Sequence, residues 1–95
     1  MKYTVSVTTS ALAETEEAFL YYESVQQGLG FSFLMEIERR YNAISKNPFA
    51  YGFIDARKIL RDVLVRRFPF VIIYKIQPGR VIIISVFNTH KQPSH

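Results

Sequence analysis

From Lys2 to Thr8 polar and apolar residues alternate, with Tyr3, Val5 and Val7 on one side. That two-residue period predicts a half-buried strand. Thr9 or Ser10 then offers a side-chain oxygen to the free N–H groups of a first helical turn. Leu12, Thr15, Phe19, Tyr22 and Val25 recur at three- and four-residue steps, the stripe of an amphipathic helix. Glu14, Glu16, Glu17 and Glu23 fall mostly beside the stripe, and the first three suit the positive end of the helix dipole. Gln27-Gly28-Leu29-Gly30 breaks the pattern. A second helical stripe follows on Phe33, Ile37, Tyr41 and Ile44, widened by Leu34. Asn47-Pro48 stops it, because the residue before proline disfavours the helical conformation. Two helices joined by so short a turn form an antiparallel hairpin.

An irregular segment, FAYGFIDA, comes next, and its aromatic rings are expected to tuck against the hairpin. Strands are predicted at about 59–67, 69–76 and 80–87, separated by Phe68-Pro69 and by the turn Gln77-Pro78-Gly79. Strands so close in sequence pair antiparallel, since a parallel pair needs a long crossover. The fold class is α+β in the order β-α-α-β-β-β: a helical hairpin on one face of a four-stranded, largely antiparallel sheet. No stretch reads as a linker or repeat, so residues 1–95 form a single domain.

One feature of the pattern asks for a partner. Phe70 to Tyr74 are apolar without a break, and Val81 to Ile84 repeat this, so both faces of these strands are apolar. The hairpin covers one face; the other is a bare apolar surface of the kind that marks an interface.

Composition narrows the classes of function. Apolar residues make up 48%, with eight Phe and six Tyr, enough for a real core. There is no cysteine, which excludes a disulfide framework, a thiolate metal site and a thiol nucleophile. With two histidines besides, neither a metal nor a cofactor is expected. The alternating start lacks the apolar core of a signal peptide, and the longest apolar runs are far short of the roughly 20 residues that cross a bilayer. A soluble cytoplasmic protein with no membrane partner is the expectation. Charge is divided unevenly: residues 1–50 carry four basic side chains against six glutamates, a net of −2. Residues 51–95 carry eight against two aspartates, a net of +6, with Arg57, Lys58, Arg61, Arg66 and Arg67 the densest cluster. Such a surface attracts nucleic acid or acidic protein segments.

Taken in order, these pieces resemble the RelE/ParE superfamily of bacterial type II toxins. The resemblance rests on AFLYYESVQQGLGFSFLMEIERRYNAISKNP, with its tyrosine pair, Gly-Leu-Gly turn and Asn-Pro stop. It rests also on Arg61, on RRFPFVIIY, and on the closing SVFNTHKQP. It implies a cognate antitoxin, a small and typically acidic chain folding across the apolar surface, with Val71, Ile73, Ile82 and Ile84 as its contacts. The superfamily holds two activities. The RelE branch cleaves mRNA on the ribosome; the ParE branch poisons DNA gyrase without chemistry of its own.

Cleaving RNA requires activating a 2′-hydroxyl, stabilising a phosphorane and protonating the leaving oxygen. Where the cleaving branch carries an arginine in the third strand, this chain has Val71, and the expected lysine pair falls near Asp62 and Leu64. The arginine after the last strand falls near Thr89, and the sequence stops at His95 without the C-terminal helix of many cleaving members. The resemblance therefore leans to the ParE-like branch: a protein-binding poison of gyrase, with Arg61, Arg66, Arg67, Arg80, His90 and Lys91 as target contacts. The alternative is a ribosome-dependent endoribonuclease with an atypical set, Arg61 and Arg67 sharing a strand face and Arg80 and His90 nearby. A third reading is a toxin-like module that only binds its partner or operator DNA. Many ParE-like chains have histidine directly after the last strand, where this one has Asn88. As an anchor for the chain beyond β-structure, Asn replaces His by hydrogen bonding; as a target contact it alters target choice.

Overall fold

The helical stripe of Phe33, Ile37 and Ile44 is where the core begins. The computed structural model describes residues 2–90. They form β1 (Thr4–Val7), α1 (Thr9–Val25), α2 (Leu29–Lys46), a single 3-10 turn (Pro48–Ala50), β2 (Leu60–Leu64), β3 (Phe70–Gln77) and β4 (Arg80–Asn88). The predicted β-α-α-β-β-β order holds, and the sheet runs β1-β4-β3-β2. β2, β3 and β4 pair antiparallel, while β1 lies parallel to β4, the chain between them running through the hairpin, β2 and β3.

Phe33, Ile37 and Ile44 are buried against Ile72, Tyr74, Val81 and Ile83, as their spacing predicts. At one end the hairpin is keyed to the sheet by aromatic rings: Phe33 lies 4.9 Å from Phe70 and 5.3 Å from Phe68, and Tyr22 lies 5.0 Å from Phe68. At the other end the Tyr74 hydroxyl donates to the Pro48 carbonyl at 2.6 Å. Burial pushes the Tyr74 pKa up to about 12, the adjacent Arg61 charge opposing and Tyr51 and Asp62 adding.

The predicted stripe of α1 is displaced. Its buried residues are Ala11 and Ala18, whereas Leu12 and Val25 stand outside. Two small side chains let α1 approach β4 closely, and Glu14 comes with them. Its carboxylate accepts the Val86 N–H at 3.0 Å and the Ser85 hydroxyl at 2.9 Å. The cap is Thr8 rather than Thr9 or Ser10, its hydroxyl accepting the Ala11 N–H, and the first turn holds no acidic residue. Glu23 is likewise not a free surface charge, since it accepts the N–H groups of Gly28 and Gly30. Gly30 has no space for a side chain, because a Cβ there would lie 2.7 Å from the Phe19 carbonyl.

The sheet edges are closed by side chains and loops, which prevents edge-to-edge pairing. Tyr3 exchanges hydrogen bonds with Ser45 beyond β1. Thr8 and Glu14 take up β4 where β1 ends. Residues 52–54 run along β2, giving Ile54 N–H to Leu60 and taking the Asp62 N–H on Gly52. The predicted second strand is shorter than expected, ending at Leu64, because Arg67 turns the chain with φ 73°.

Candidate functional site

Strand directions decide which basic side chains can meet. The start of β2 and the β3–β4 turn share one end of the sheet, since Leu60 faces Lys75 and Gln77 faces Arg80. The β2–β3 turn and the end of β4 share the other, with Phe70 opposite Asn88. The predicted set Arg61, Arg67, Arg80 and His90 is thereby divided: Arg61 and Arg80 at one end, Arg67 and His90 at the other. Arg61 faces Tyr74, four residues from Phe70 along β3, or about 14 Å at strand rise. The four groups do not converge on one phosphate. Nor do Arg61 and Arg67 share a strand face, because β2 has ended before Arg67.

Arg61 is tied into the structure. Its Nη1 donates to the Tyr51 carbonyl at 2.5 Å and, at a longer 3.4 Å, to that of Phe49. The guanidinium lies 3.9 Å from the centre of the Phe53 ring and 5.5 Å from that of Phe49, within cation–π range. The aromatic residues of FAYGFIDA do not all tuck against the hairpin as expected: Phe49 is 57% exposed and Phe53 43%. With Tyr3, Lys58, Ile59 and Ile76 they line a pocket of about 480 Å³ with Arg61 in its wall. Lys58 has φ 58°, a left-handed conformation uncommon for a side-chain-bearing residue. It is held there by Asp55, whose carbonyl accepts the Lys58 N–H and whose carboxylate accepts those of Ile59 and Leu60.

At the opposite end Arg66 and Arg67 are exposed, with the Arg67 guanidinium 5.9 Å from the Phe68 ring centre. Beside them a groove of about 580 Å³ runs between α1 and the end of β4, lined by Glu14, Tyr21, Tyr22, Phe87, Asn88 and His90 among others. The Asn88 side-chain oxygen accepts the His90 N–H at 2.8 Å. Burial, with Tyr21 adding, raises the Tyr22 pKa. Lys91 lies outside the described residues.

The expected antitoxin contacts lie on or near the sheet face away from the hairpin. Val81 and Ile83 are buried, so Ile82 between them points the other way, beside Lys75. Ile73 and Ile82 are half-buried; Val71 is buried between Leu64 and Phe87. Ile84 is the extra residue of a β-bulge, since Tyr74 pairs with Ile83 and Ile73 with Ser85. Leu64, at the rim of this face, is 67% exposed.

What the sequence reading missed are Phe53, Phe49 and Tyr3 around Arg61, and Glu14 on the β4 edge. The signal available for the first group was the aromatic density of FAYGFIDA next to Arg57, Lys58 and Arg61. For Glu14 there was none.

No family model and no curated protein matches the sequence. Among solved structures, the chain is similar to one in the chromosomal ParDE TA system from P. aeruginosa. The TM-score is 0.81 at 12% identity, covering 94% of this chain and 98% of that one. It is also similar to a chain of the RelBE2 toxin-antitoxin complex from Mycobacterium tuberculosis. There the TM-score is 0.63 at 18% identity, covering 93% of this chain and 92% of that one. The two-helix hairpin on a four-stranded mixed sheet is thus a fold shared with chains of the ParDE and RelBE2 assemblies.

Proposed function

We propose that this chain is the toxin of a type II toxin-antitoxin pair and acts in the ParE-like manner, by binding DNA gyrase in the cytoplasm rather than by cleaving RNA. The carrying observation is the division of the cationic groups. Arg61 and Arg80 lie at one end of the sheet and Arg67 and His90 at the other, so no set of acid, base and phosphate ligands is assembled among them. Arg61 is braced by two carbonyls and two rings, apart from Arg67 and His90 at the other end of the sheet. The origin of the solved relatives in toxin-antitoxin assemblies supports the partner. The antitoxin covers the apolar face at Ile73, Ile82 and Leu64, and its acidic character complements the basic half. Folding on binding suits a flexible segment to so broad a surface.

The test is a gyrase supercoiling and cleavage assay with the folded chain freed of antitoxin. Inhibition or trapped DNA breaks, reversed by antitoxin, is the expected result. A folded chain without effect on gyrase that truncates mRNA in a ribosome translation assay would overturn the proposal in favour of the RelE-like activity.

A further inference from the structure

The basic end of the sheet concentrates more charge than a docking strand needs. Lys2 and Lys46 adjoin the Tyr3–Ser45 hydrogen bonds at the start of β1. Arg80 opens β4 opposite Gln77, and Arg57 and Lys58 precede β2. With Arg61 these are six cations at one end. Asp55 is the acidic residue of the adjoining loop, and its carboxylate is already taken by two backbone N–H groups. Among the described residues none of the six forms an ion pair, the described pair being Glu36–Arg39 on α2. Two of the four α1 glutamates are engaged elsewhere, Glu14 on β4 and Glu23 at the start of α2.

Within this field sits the pocket of Tyr3, Phe49, Phe53, Ile59 and Ile76, with Lys58 and Arg61 in its wall. Both Arg61 hydrogen bonds use Nη1, so its remaining N–H donors are available. The guanidinium is nevertheless fixed, because carbonyls hold it on one side and Phe53 lies beneath it. The Lys58 backbone is fixed by the Asp55 turn in a left-handed conformation, and the residue lines the pocket. An acidic peptide needs cations beside aliphatic side chains; here partly exposed aromatic rings stand next to a braced guanidinium and a lysine. Flat π-systems with a phosphate one bond series away match that pairing, since bases stack on aromatic rings and phosphates accept from arginine and lysine.

We propose that this pocket binds one nucleotide unit, the base packing on Phe53 and Phe49 and the phosphate accepting from Arg61 and Lys58. The site does not rest on the gyrase reading: it shares Arg61 with the expected target contacts and uses none of Arg66, Arg67 or His90. The unit comes either as a free nucleotide or as one residue of a single strand. Binding is read by fluorescence anisotropy of a short labelled oligoadenylate on the full folded chain, with AMP as competitor. Binding at about 50 mM salt that weakens steeply as salt rises is expected. Phe53→Ala weakens it about ten- to a hundredfold, the range for a lost base stack, and Lys58→Ala flattens the salt dependence. Phe53→Leu keeps apolar bulk without a ring, so an equal loss there separates stacking from misfolding. Arg67→Ala, at the other end, changes binding less than about twofold, since Arg67 contributes only to the diffuse field.

Competition by AMP assigns the site to free nucleotides, and its failure beside tight oligonucleotide binding assigns it to a strand; either supports the proposal. Absence of binding by both probes overturns it. So does binding that polyglutamate displaces equally well and that Phe53→Ala leaves unchanged, which would make this end a plain acceptor of polyanions. A chain that poisons gyrase but fails here loses only this proposal, and the converse result leaves it standing.

Discussion

The molecule has two aromatic clusters of similar size and opposite fate. At one end Tyr22, Phe33, Phe68 and Phe70 close on one another between hairpin and sheet, and Phe33 is wholly buried. At the other end Tyr3, Phe49 and Phe53 stand about a guanidinium, and no helix covers Phe49 or Phe53. Rings of the same kind stabilise in the first place and remain available in the second. What separates them is α2, which descends over the sheet from the first cluster and ends at Lys46 before reaching the second. Pro48 then turns the chain out, and the rings of Phe49 and Phe53 are left to Arg61 for company.

Matched truncations in the two clusters should differ most. Phe33→Ala leaves a void among Tyr22, Phe68 and Phe70, and is expected to cost about 3–5 kcal/mol, the range for a fully buried ring. Phe53→Ala should cost less than about 1 kcal/mol, because much of that ring is already in water and its main partner is a single guanidinium. Urea denaturation of both proteins is the measurement. Equal losses would mean that the open cluster is a second core and would remove the distinction.

Much of the closed cluster was legible in the sequence. Phe33, Ile37 and Ile44 carry a clean helical period on large side chains, and Phe70 and Tyr74 pack as their unbroken strand predicts. The α1 stripe misled for a physical reason: its buried positions are Ala11 and Ala18, which carry little hydrophobic signal, while the larger Leu12 and Val25 face outward. A helix that packs through small residues is read a position out of phase. The open cluster was legible only as charge. That positive residues crowd the second half is plain from composition, but their division between two sheet ends depends on strand direction and on where β2 stops. Arg61 was the hardest, because its partners are carbonyls, and backbone oxygens leave no trace in a sequence.

Tyr74 joins the two regions, buried in the sheet with its hydroxyl on the Pro48 carbonyl. Tyr74→Phe leaves that carbonyl unpaired and should cost about 1–3 kcal/mol. It should also change the alkaline limb of stability. Burial holds the Tyr74 pKa at about 12, and burial with the Glu38 charge does the same for Tyr41, against a Thr15 hydrogen bond. In the unfolded chain both titrate near 10. Between about pH 10 and 12 the unfolded state therefore releases protons that the folded state keeps, and stability falls as pH rises. Each tyrosine contributes up to about 3 kcal/mol to that fall. Denaturation midpoints from pH 9 to 12 should decline steeply in the wild type and less steeply in Tyr74→Phe. Parallel slopes would show that Tyr74 ionises freely in the fold.

The smallest effect tests whether Arg61 is a brace or merely a charge. Lysine at this position keeps the positive charge but lacks the planar fork that reaches the Tyr51 carbonyl while lying on Phe53. If the fork matters, Arg61→Lys and Arg61→Ala should destabilise alike, each by about 1 kcal/mol, the worth of one hydrogen bond to a charged group less its exposure to water. Amide exchange should then quicken in residues 49–54, whose backbone is held along β2 by Arg61 and by the Ile54–Leu60 and Gly52–Asp62 hydrogen bonds. If charge alone matters, Arg61→Lys retains full stability and exchange is unchanged. Arg61→Ala has a second consequence that lysine does not share. Loss of the positive charge beside Tyr74 removes the influence that lowers its folded-state pKa, so the alkaline fall in stability, which still begins at the unfolded value, extends to higher pH and deepens in Ala and is unchanged in Lys. A change in exchange without that movement identifies a brace, and the reverse identifies a charge.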